Sequence, residues 1–505
     1  MAIIGSILKR TARIGNQIGE KKRFDYSLQT KVLHKLLDKA KFTELGTHYD
    51  FKEILLNPNP IEEYAKRLPI FDYTQFHTHW LYRVLQGEKD VIWPGKTSYF
   101  ALSSGTSGAT SKRIPVSESM IRNFQRVSMT QTLTLHDYDL PTNFYEKSIL
   151  IIGGSTQLKE FEEYKEGDLS GILAGKIPLW FSNFSKPGKK ISKIANWDDK
   201  LDAIVKEAPK WDIGIISGIP AWVEMVLKAI INTYKLSSIH EIWPSLKVYV
   251  HGGVSIEPYR SELHKLFAEP VYFQETYLAS EGYFAYQKSD KRTGMRLLLN
   301  AGVYFEFIPF NEQNFDANGT LSSNAQALPL HQVKENTEYA LVVSTCSGLW
   351  RYLIGDTIRF TSMLDYEIKI TGRISHFMST CGEHLSIENM DQAIKATAEI
   401  LGIQIQEYTL YALKNGKHKH HWYLGTDKIL NDTLVAKVLD QELKKINDDY
   451  ASLRKHVIDL PTVNVIPNSF FLNFLAQKGK IGGQNKFPRA LKGTQLDEWK
   501  LFLQR

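Results

Sequence analysis

The 505-residue chain reads as an α/β protein, with a large N-terminal domain followed by a smaller α+β module. Three observations carry that reading. Between Ser148 and Ser280, apolar strands alternate with helical stretches and end in Gly or polar loops, the pattern of a largely parallel sheet. From Val303 to Arg373, short segments rich in β-branched and aromatic residues follow one another closely, as in a smaller antiparallel, barrel-like sheet. After Arg373 the order is helix, two strands, helix and strand, enough for a compact α+β module of roughly 130 residues. The domains are therefore drawn as 1–372 and 373–505, with a hinge near 370–376.

The first hundred residues read mainly as helices. Leu28, Val32, Leu33, Leu36, Leu37 and Ala40 follow helical spacing, and two shorter patterns within 61–86 are separated by Pro69. SILIIGG (148–154), IGIISGIP (213–220) and LKVYVHGG (246–253) read as buried strands, with a helix from Ala221 to Tyr234 between the last two. PVYFQETYLAS (270–280) is a further strand running into a polar turn. Ligands of such sheets bind at the carboxyl ends of the strands. VYFEFIP (303–309), YALVVST (339–345), LWRYLIGDTIRFTS (349–362) and YEIKITGR (366–373) supply the antiparallel part. The last module reads as helix 386–401, strands 405–413 and 420–426, helix 431–449 and strand 461–466.

Composition excludes several classes. Lys plus Arg exceeds Asp plus Glu by only +7, and basic and aromatic residues do not interleave, so no nucleic acid is expected as a partner. Cys346 and Cys381 are the only cysteines, which excludes a disulfide framework and a Cys-rich zinc site and suits a reducing compartment. No apolar run reaches the roughly 18 residues of a membrane span. The opening MAIIGSILKRTARIG places apolar residues before charges, the reverse of a secretory signal. Ile3, Ile4, Ile7 and Leu8 suit a terminal helix docked on the body better than a membrane-surface anchor. The expectation is a cytoplasmic monomer.

Three segments could carry chemistry. The first is Leu102-Ser103-Ser104-Gly105-Thr106-Ser107-Gly108-Ala109-Thr110-Ser111-Lys112. Glycines admit close backbone approach, hydroxyls and N–H groups donate, and lysine adds charge, which is what a triphosphate needs. Neither G-x-x-x-x-G-K-[ST] nor G-x-G-x-x-G fits it, and a plain Ser/Gly surface loop is the competing reading. The second is Thr276-Tyr277-Leu278-Ala279-Ser280-Glu281, where a carboxylate at a strand end could hold Mg²⁺ or be a solvated turn residue. The third is Trp350-Arg351-Tyr352-Leu353-Ile354-Gly355-Asp356, followed by Gly372-Arg373. Asp356 there could accept from both ribose hydroxyls, while Arg351 suits a structural ion pair.

Taken in order, with a late lysine, these segments resemble the adenylate-forming superfamily. LPIFDYTQF (68–76), VLQGEKDVIWPGKTSYFALSSGTSG (84–108), VYFEFIP and NKFPRAL (485–491) are similar to signatures of the auxin-responsive Gretchen Hagen family of acyl-acid amido synthetases. The likeness, to a bacterial-type member, runs from about Leu68 to Leu491, while the hinge GRISHFMSTCGEHLSIENMDQAI resembles general acyl ligases equally.

The resemblance implies a large adenylate-forming domain and a mobile C-terminal domain. It implies an ATP- and Mg²⁺-dependent ligase that adenylates a carboxylic acid, then passes the acyl group to the amine of an amino acid. The alternatives are a ligase with another acceptor, such as coenzyme A, and a non-catalytic acyl-acid or nucleotide binder. By motif, Ser103, Ser104 and Thr106 would line the phosphates with Lys112 nearby. Thr276, Tyr277 and Ser280 would line the nucleotide, Glu281 would hold Mg²⁺, and Tyr304 would contact the adenine. Gly252 and Gly253 would pass beside the adenine and the acyl pocket, Asp356 would take the ribose hydroxyls, and Arg373 would sit by the ribose or phosphate. The catalytic pair would be Glu281 and Lys486, with Lys486 preferred to Lys480 as the inserted lysine. His251 is read as a pocket-wall histidine bonded to backbone rather than a general base, and Cys381 as apolar filler rather than a thioester nucleophile. Nothing in the pattern identifies the acyl acid.

Overall fold

The computed structural model describes residues 26–504 except 104–111, 139, 290–291, 317–318, 375–384, 386, 416, 455–457, 479–486 and 492. Ser104, Thr106, Cys381, Lys480, Lys486 and the N-terminal segment 1–25 thus lie outside the described residues.

The chain enters through α1 (Ser27–Ala40), whose Leu33, Leu36, Leu37 and Ala40 are buried at helical spacing. Gln29 on that helix is buried too. Its amide donates to the carbonyls of Leu299 and Val303 and accepts from the N–H of Phe305, which fixes the helix on a strand. A short hairpin follows, β1 (Tyr99–Ser103) and β2 (Lys112–Val116), with Ser103 opposite Lys112. That register brings the two flanks of the Ser/Gly segment together. Next is α2 (Glu118–Thr134), capped by the Ser117 hydroxyl accepting from Met120 N–H.

The main sheet has twelve strands among the described residues. Its parallel half is β3 (Ser148–Ile151), β4 (Ile213–Ser217), β5 (Val248–Gly252) and β6 (Tyr272–Ala279). β4 is nearly all buried, as a strand covered on both faces must be. Between β4 and β5 runs α3 (Pro220–Tyr234), with Pro at its first position and Lys235 in the left-handed region after its end. Between β5 and β6 lies α4 (Glu257–Lys265).

The antiparallel half is β7 (Gly282–Tyr286), β8 (Met295–Leu297), β9 (Val303–Pro309), β10 (Glu338–Thr345), β11 (Tyr352–Ser362) and β12 (Glu367–Arg373). These strands do not stand apart as a separate small sheet. β6 pairs with β7, β7 with β8 and β8 with β12, so one hydrogen-bonded sheet runs through both halves. The link is made by short strands of only three to five residues, which carry little signal in the sequence.

The C-terminal module has α5 (Ile387–Leu401), β13 (Glu407–Asn415), β14 (Lys417–Gly425), α6 (Asp432–Ile446) and β15 (Thr462–Ile466). It has its own core, around Leu410, Trp422, Leu424, Leu439 and Leu443. A second cluster packs Phe471, Phe474, Phe487 and Trp499, so the residue after Lys486 is anchored in aromatic contacts.

Candidate active site

The carboxyl ends of β5 and β6 border a cavity of about 2110 Å³ that reaches the C-terminal module. Ser103, Gly252, Gly253, Thr276, Tyr277, Ser280, Glu281, Asp356 and Arg373 all line it. Local geometry explains why these residues suit the place. A Cβ on Gly252 would stand 2.5 Å from the Thr276 carbonyl oxygen and 2.6 Å from its Oγ1, so β5 and β6 approach closely only because residue 252 is glycine. Gly253 follows at φ +82°, a conformation that side chains rarely adopt. The Thr276 hydroxyl donates to the His251 carbonyl at 2.9 Å.

Asp356 is the centre of a buried network. Its Oδ2 accepts from the Tyr277 hydroxyl at 2.7 Å, and its Oδ1 pairs with Arg373 Nε at 2.8 Å. Asp356 and Arg373 face each other across β11 and β12 in register. A carboxylate has about four acceptor positions, so two remain for further donors such as ribose hydroxyls. Burial raises the Tyr277 phenol well above its ordinary range, and the Asp356 charge adds to that, so it stays a donor.

Glu281 is buried and has no ion-pair partner among the described residues. Burial pushes its carboxyl up to about 7, and the nearby Asp356 charge pushes the same way. Lys112 and Arg373 oppose the shift without cancelling it. An ionised carboxylate held this way gains from an added cation. That donor fits Mg²⁺, which takes one or two protein carboxylates and completes its shell with phosphate oxygens and water. Lys112 lies within electrostatic reach of Glu281, with its ammonium 5.5 Å from the centre of the Tyr73 ring. Burial lowers its pKa.

His251 also lines the cavity and is 3% exposed. Its Nδ1 has no partner among the described residues, so the expected side-chain bond to backbone is absent. Burial, then the Arg260 charge, depress its pKa to about 3, so the ring is neutral.

Tyr304 is a correction. It does not line the cavity but is 2% exposed in the core, 6.0 Å from the Tyr64 ring. The reason is the strand: β9 is covered on both faces, and Tyr304 shares a face with Glu306, which pairs with Arg351 at 2.9 Å. Arg351 is the structural ion pair expected of it. It also donates to the carbonyls of Ala65 and Leu68, at 2.7 and 2.5 Å.

The junction between the two modules uses residues to which the sequence assigns no role. The Tyr259 hydroxyl on α4 donates to Glu407 at 3.0 Å, and Glu407 pairs with Arg489 at 2.5 Å. The Arg489 guanidinium lies 4.3 Å from the Tyr408 ring centre. Lys395 pairs with Glu257 at 2.9 Å across the same junction. Arg489 belongs to NKFPRAL, so its signal was the motif itself; Glu407 and Tyr259 carry none.

Comparison with known folds places this arrangement. The structure superimposes on a 2-hydroxyisobutyryl-CoA ligase in the postadenylation state with a TM-score of 0.57 at 12% identity, covering 94% of this chain and 90% of that one. It superimposes on the GH3.15 acyl acid amido synthetase with a TM-score of 0.78 at 15% identity, covering 98% and 96%. At such identities the likeness shows the fold, which is that of the adenylate-forming enzymes. Residues 16–160 and 129–271 match the GH3 family N-terminal domain, 296–373 its central domain and 388–495 its C-terminal domain. The chain belongs to the GH3 family. Relatives include the indole-3-acetic acid-amido synthetase GH3.4 of Arabidopsis thaliana, 25% identical over 283 residues, which are 51% of this chain and 46% of that protein. Another is the jasmonoyl–L-amino acid synthetase JAR4 of Nicotiana attenuata, 25% identical over 286 residues, 52% of this chain and 47% of that one. The chain thus spans about half the length of the relatives it matches. No helix among the described residues is long and apolar enough to cross a membrane.

Proposed function

We propose that this protein uses ATP to adenylate a carboxylic acid and then transfers the acyl group to the amine of an amino acid. The observation that carries the reading is the pairing of two buried carboxylates in one cavity. Asp356 is held by Tyr277 and Arg373, while Glu281, without an ion pair among the described residues, stands close enough to feel its charge. A binder of acyl acids alone has no use for the second carboxylate.

In this reading Asp356 takes the ribose hydroxyls, and Arg373 fixes Asp356 and adds charge near the phosphates. Ser103, with Ser104 and Thr106 of the same segment, donates to the phosphates beside Lys112. Glu281 would hold Mg²⁺, and the ion would supply charge neutralisation where the substrate carboxylate meets the α-phosphate. The apolar wall of the cavity, with Phe144, Leu169, Leu173, Trp222 and Met225, receives the acyl tail. Lys486 is the lysine inserted for adenylation, from a mobile domain 373–505 closing on domain 1–372. A free carboxylate is a poor electrophile; the mixed anhydride with AMP, kept from water, waits for the amine. The protein acts as a cytoplasmic monomer on small molecules.

The test is product analysis. Protein, ATP, Mg²⁺, a carboxylic acid and an amino acid should give one amide, one AMP and one pyrophosphate per turnover. A thioester formed with coenzyme A, and no amide with any amino acid, would replace the acceptor.

A further inference from the structure

β3 leads into Gly153-Gly154, and beside that end lies a second cavity, of about 310 Å³. It sits at the edge of the main sheet, where the short strand Ser185–Lys186 pairs with β3. The helix Trp197–Glu207 lends it Trp197, Lys200 and Ile204. Its lining has two characters. Ile152, Ile177 and Trp197 are apolar, and all three also line the main cavity. Elsewhere the lining carries Lys186, Lys189, Lys193 and Lys200, and no Asp or Glu among the described residues lines it. None of the four lysines takes part in the adenylation reading.

Lys200 is 5% exposed, yet no ion pair holds it among the described residues. Its Nζ donates to the carbonyl of Gly153, itself a lining residue, at 3.4 Å. An ammonium has three N–H donors, so two remain. Burial lowers the Lys200 pKa, and the buried Asp168 opposes that from beyond ion-pair contact. A lysine kept from water without a paired charge is costly to hold. Its neighbours in the cavity add donors. The hydroxyls of Thr156, Ser185 and Ser192 make no side-chain hydrogen bond among the described residues, and Lys189 and Lys193 are exposed without an ion pair there. Cations and hydroxyls with no carboxylate among them are complemented by an oxyanion, and the apolar part by a short hydrocarbon.

We propose that this second cavity binds a small organic acid by its oxyanion, carboxylate or phosphate, with Lys200 as the buried counter-ion, Thr156, Ser185 and Ser192 as donors, and Ile152, Ile177 and Trp197 against the apolar part. The inference goes beyond the adenylation reading and does not depend on it. Two sources share this chemistry. One is a separate anion acting as an effector, which would press on Trp197 and Ile152 from behind and so alter the wall of the main cavity. The other is the far end of the acyl acid itself, reaching past the residues common to both cavities, so that the substrate carries a second negative group.

The test is equilibrium dialysis of radiolabelled inorganic phosphate against the full chain, with Mg²⁺ and a saturating non-hydrolysable ATP analogue to keep phosphate out of the nucleotide site. Wild type should bind one phosphate per chain. Lys200→Met should weaken that binding about ten- to a hundredfold, as loss of a charge-assisted contact does, and Lys200→Arg should recover part of it. The exposed pair Lys186→Gln with Lys193→Gln leaves the core untouched and should weaken binding severalfold, so it decides the matter if Lys200→Met does not fold. No bound phosphate, or the same affinity in wild type and in every folded variant, would overturn the site. A second arm separates the sources by pyrophosphate exchange with straight-chain monocarboxylic acids and dicarboxylic acids of equal length. Preference for the dicarboxylic acid, lost in Lys200→Met, assigns the pocket to the acyl acid. Exchange that changes with added phosphate in wild type but not in Lys200→Met, with no preference between the acids, assigns it to an effector. Absence of exchange with any acid would remove the adenylation reading and leave the phosphate result standing.

Discussion

Glu281 is buried and has no ion pair among the described residues, and burial pushes its carboxyl up to about 7. Glu281→Gln keeps the shape and removes the charge, so overall activity should drop by most of its value and the magnesium requirement should rise. An unchanged magnesium titration would take Glu281 out of the metal site. Asp356 makes a different prediction. Asp356→Ala removes the acceptor between Tyr277 and Arg373, and a hydrogen bond to a charged group is worth roughly 1.5–3 kcal/mol, so ATP should bind about ten- to a hundredfold more weakly. The variant should also stop distinguishing ATP from 2′-deoxy-ATP; discrimination as strong as wild type would show that Asp356 does not hold the ribose. His251 supplies the pH dependence. Its pKa falls from 6.5 to about 3 on folding, through burial and then the Arg260 charge, with Glu257 opposing. On acidification the unfolded chain therefore takes up the proton first. The stability tied to the neutral ring is full above about pH 6.5 and is lost as pH falls toward 3. Between pH 7 and pH 5 the loss should be roughly 2 kcal/mol. His251→Gln should shrink the difference in urea-unfolding free energy between those pH values by that amount, and an identical difference in both proteins would refute the buried neutral ring.

At the scale of elements, the site depends on how closely β5 and β6 run at their carboxyl ends. Gly252→Ala would drive a methyl group against the Thr276 backbone, where nothing can yield cheaply. Overpacking of this kind costs about 1–3 kcal/mol, so the variant should lose that much stability in denaturant titration and bind ATP less well. Stability equal to wild type would mean the strands can separate without cost. The strands themselves were legible. IGIIS is apolar up to Ser217 and VYFEFIP is apolar but for Glu306, and the YFQETYLA strand runs into the polar Ser280-Glu281 turn. Their joining into one sheet was not, because the connection passes through β7 and β8, two short strands whose pairing is non-local. Thr276, Glu281, Asp356 and Arg373, picked out from the sequence, are brought by the structure to one cavity, although Asp356 lies within β11 rather than at its end. The sequence was misleading for Tyr304, since a strand buried on both faces gives no sign of which face meets a cavity.

A large body and a C-terminal module each have their own core, and among the described residues Tyr259–Glu407 and Lys395–Glu257 tie the two together. Within the module Arg489 holds the Glu407 carboxylate that accepts from Tyr259, and lies over Tyr408. Arg489→Met would leave Glu407 with Tyr259 alone and should destabilise the protein by on the order of 3 kcal/mol. A much smaller loss in chemical denaturation would mean that the pair is solvated. The central claim is that this cavity makes an acyl-adenylate, and the most direct measurement is ATP–pyrophosphate exchange in the absence of any acceptor. With wild-type protein, Mg²⁺ and a panel of aryl, indolyl and fatty acids, label should pass from pyrophosphate into ATP only when a suitable acid is present, and Lys486→Ala should abolish that exchange. Exchange with no acid dependence, or none with any acid while ATP still binds, would contradict it.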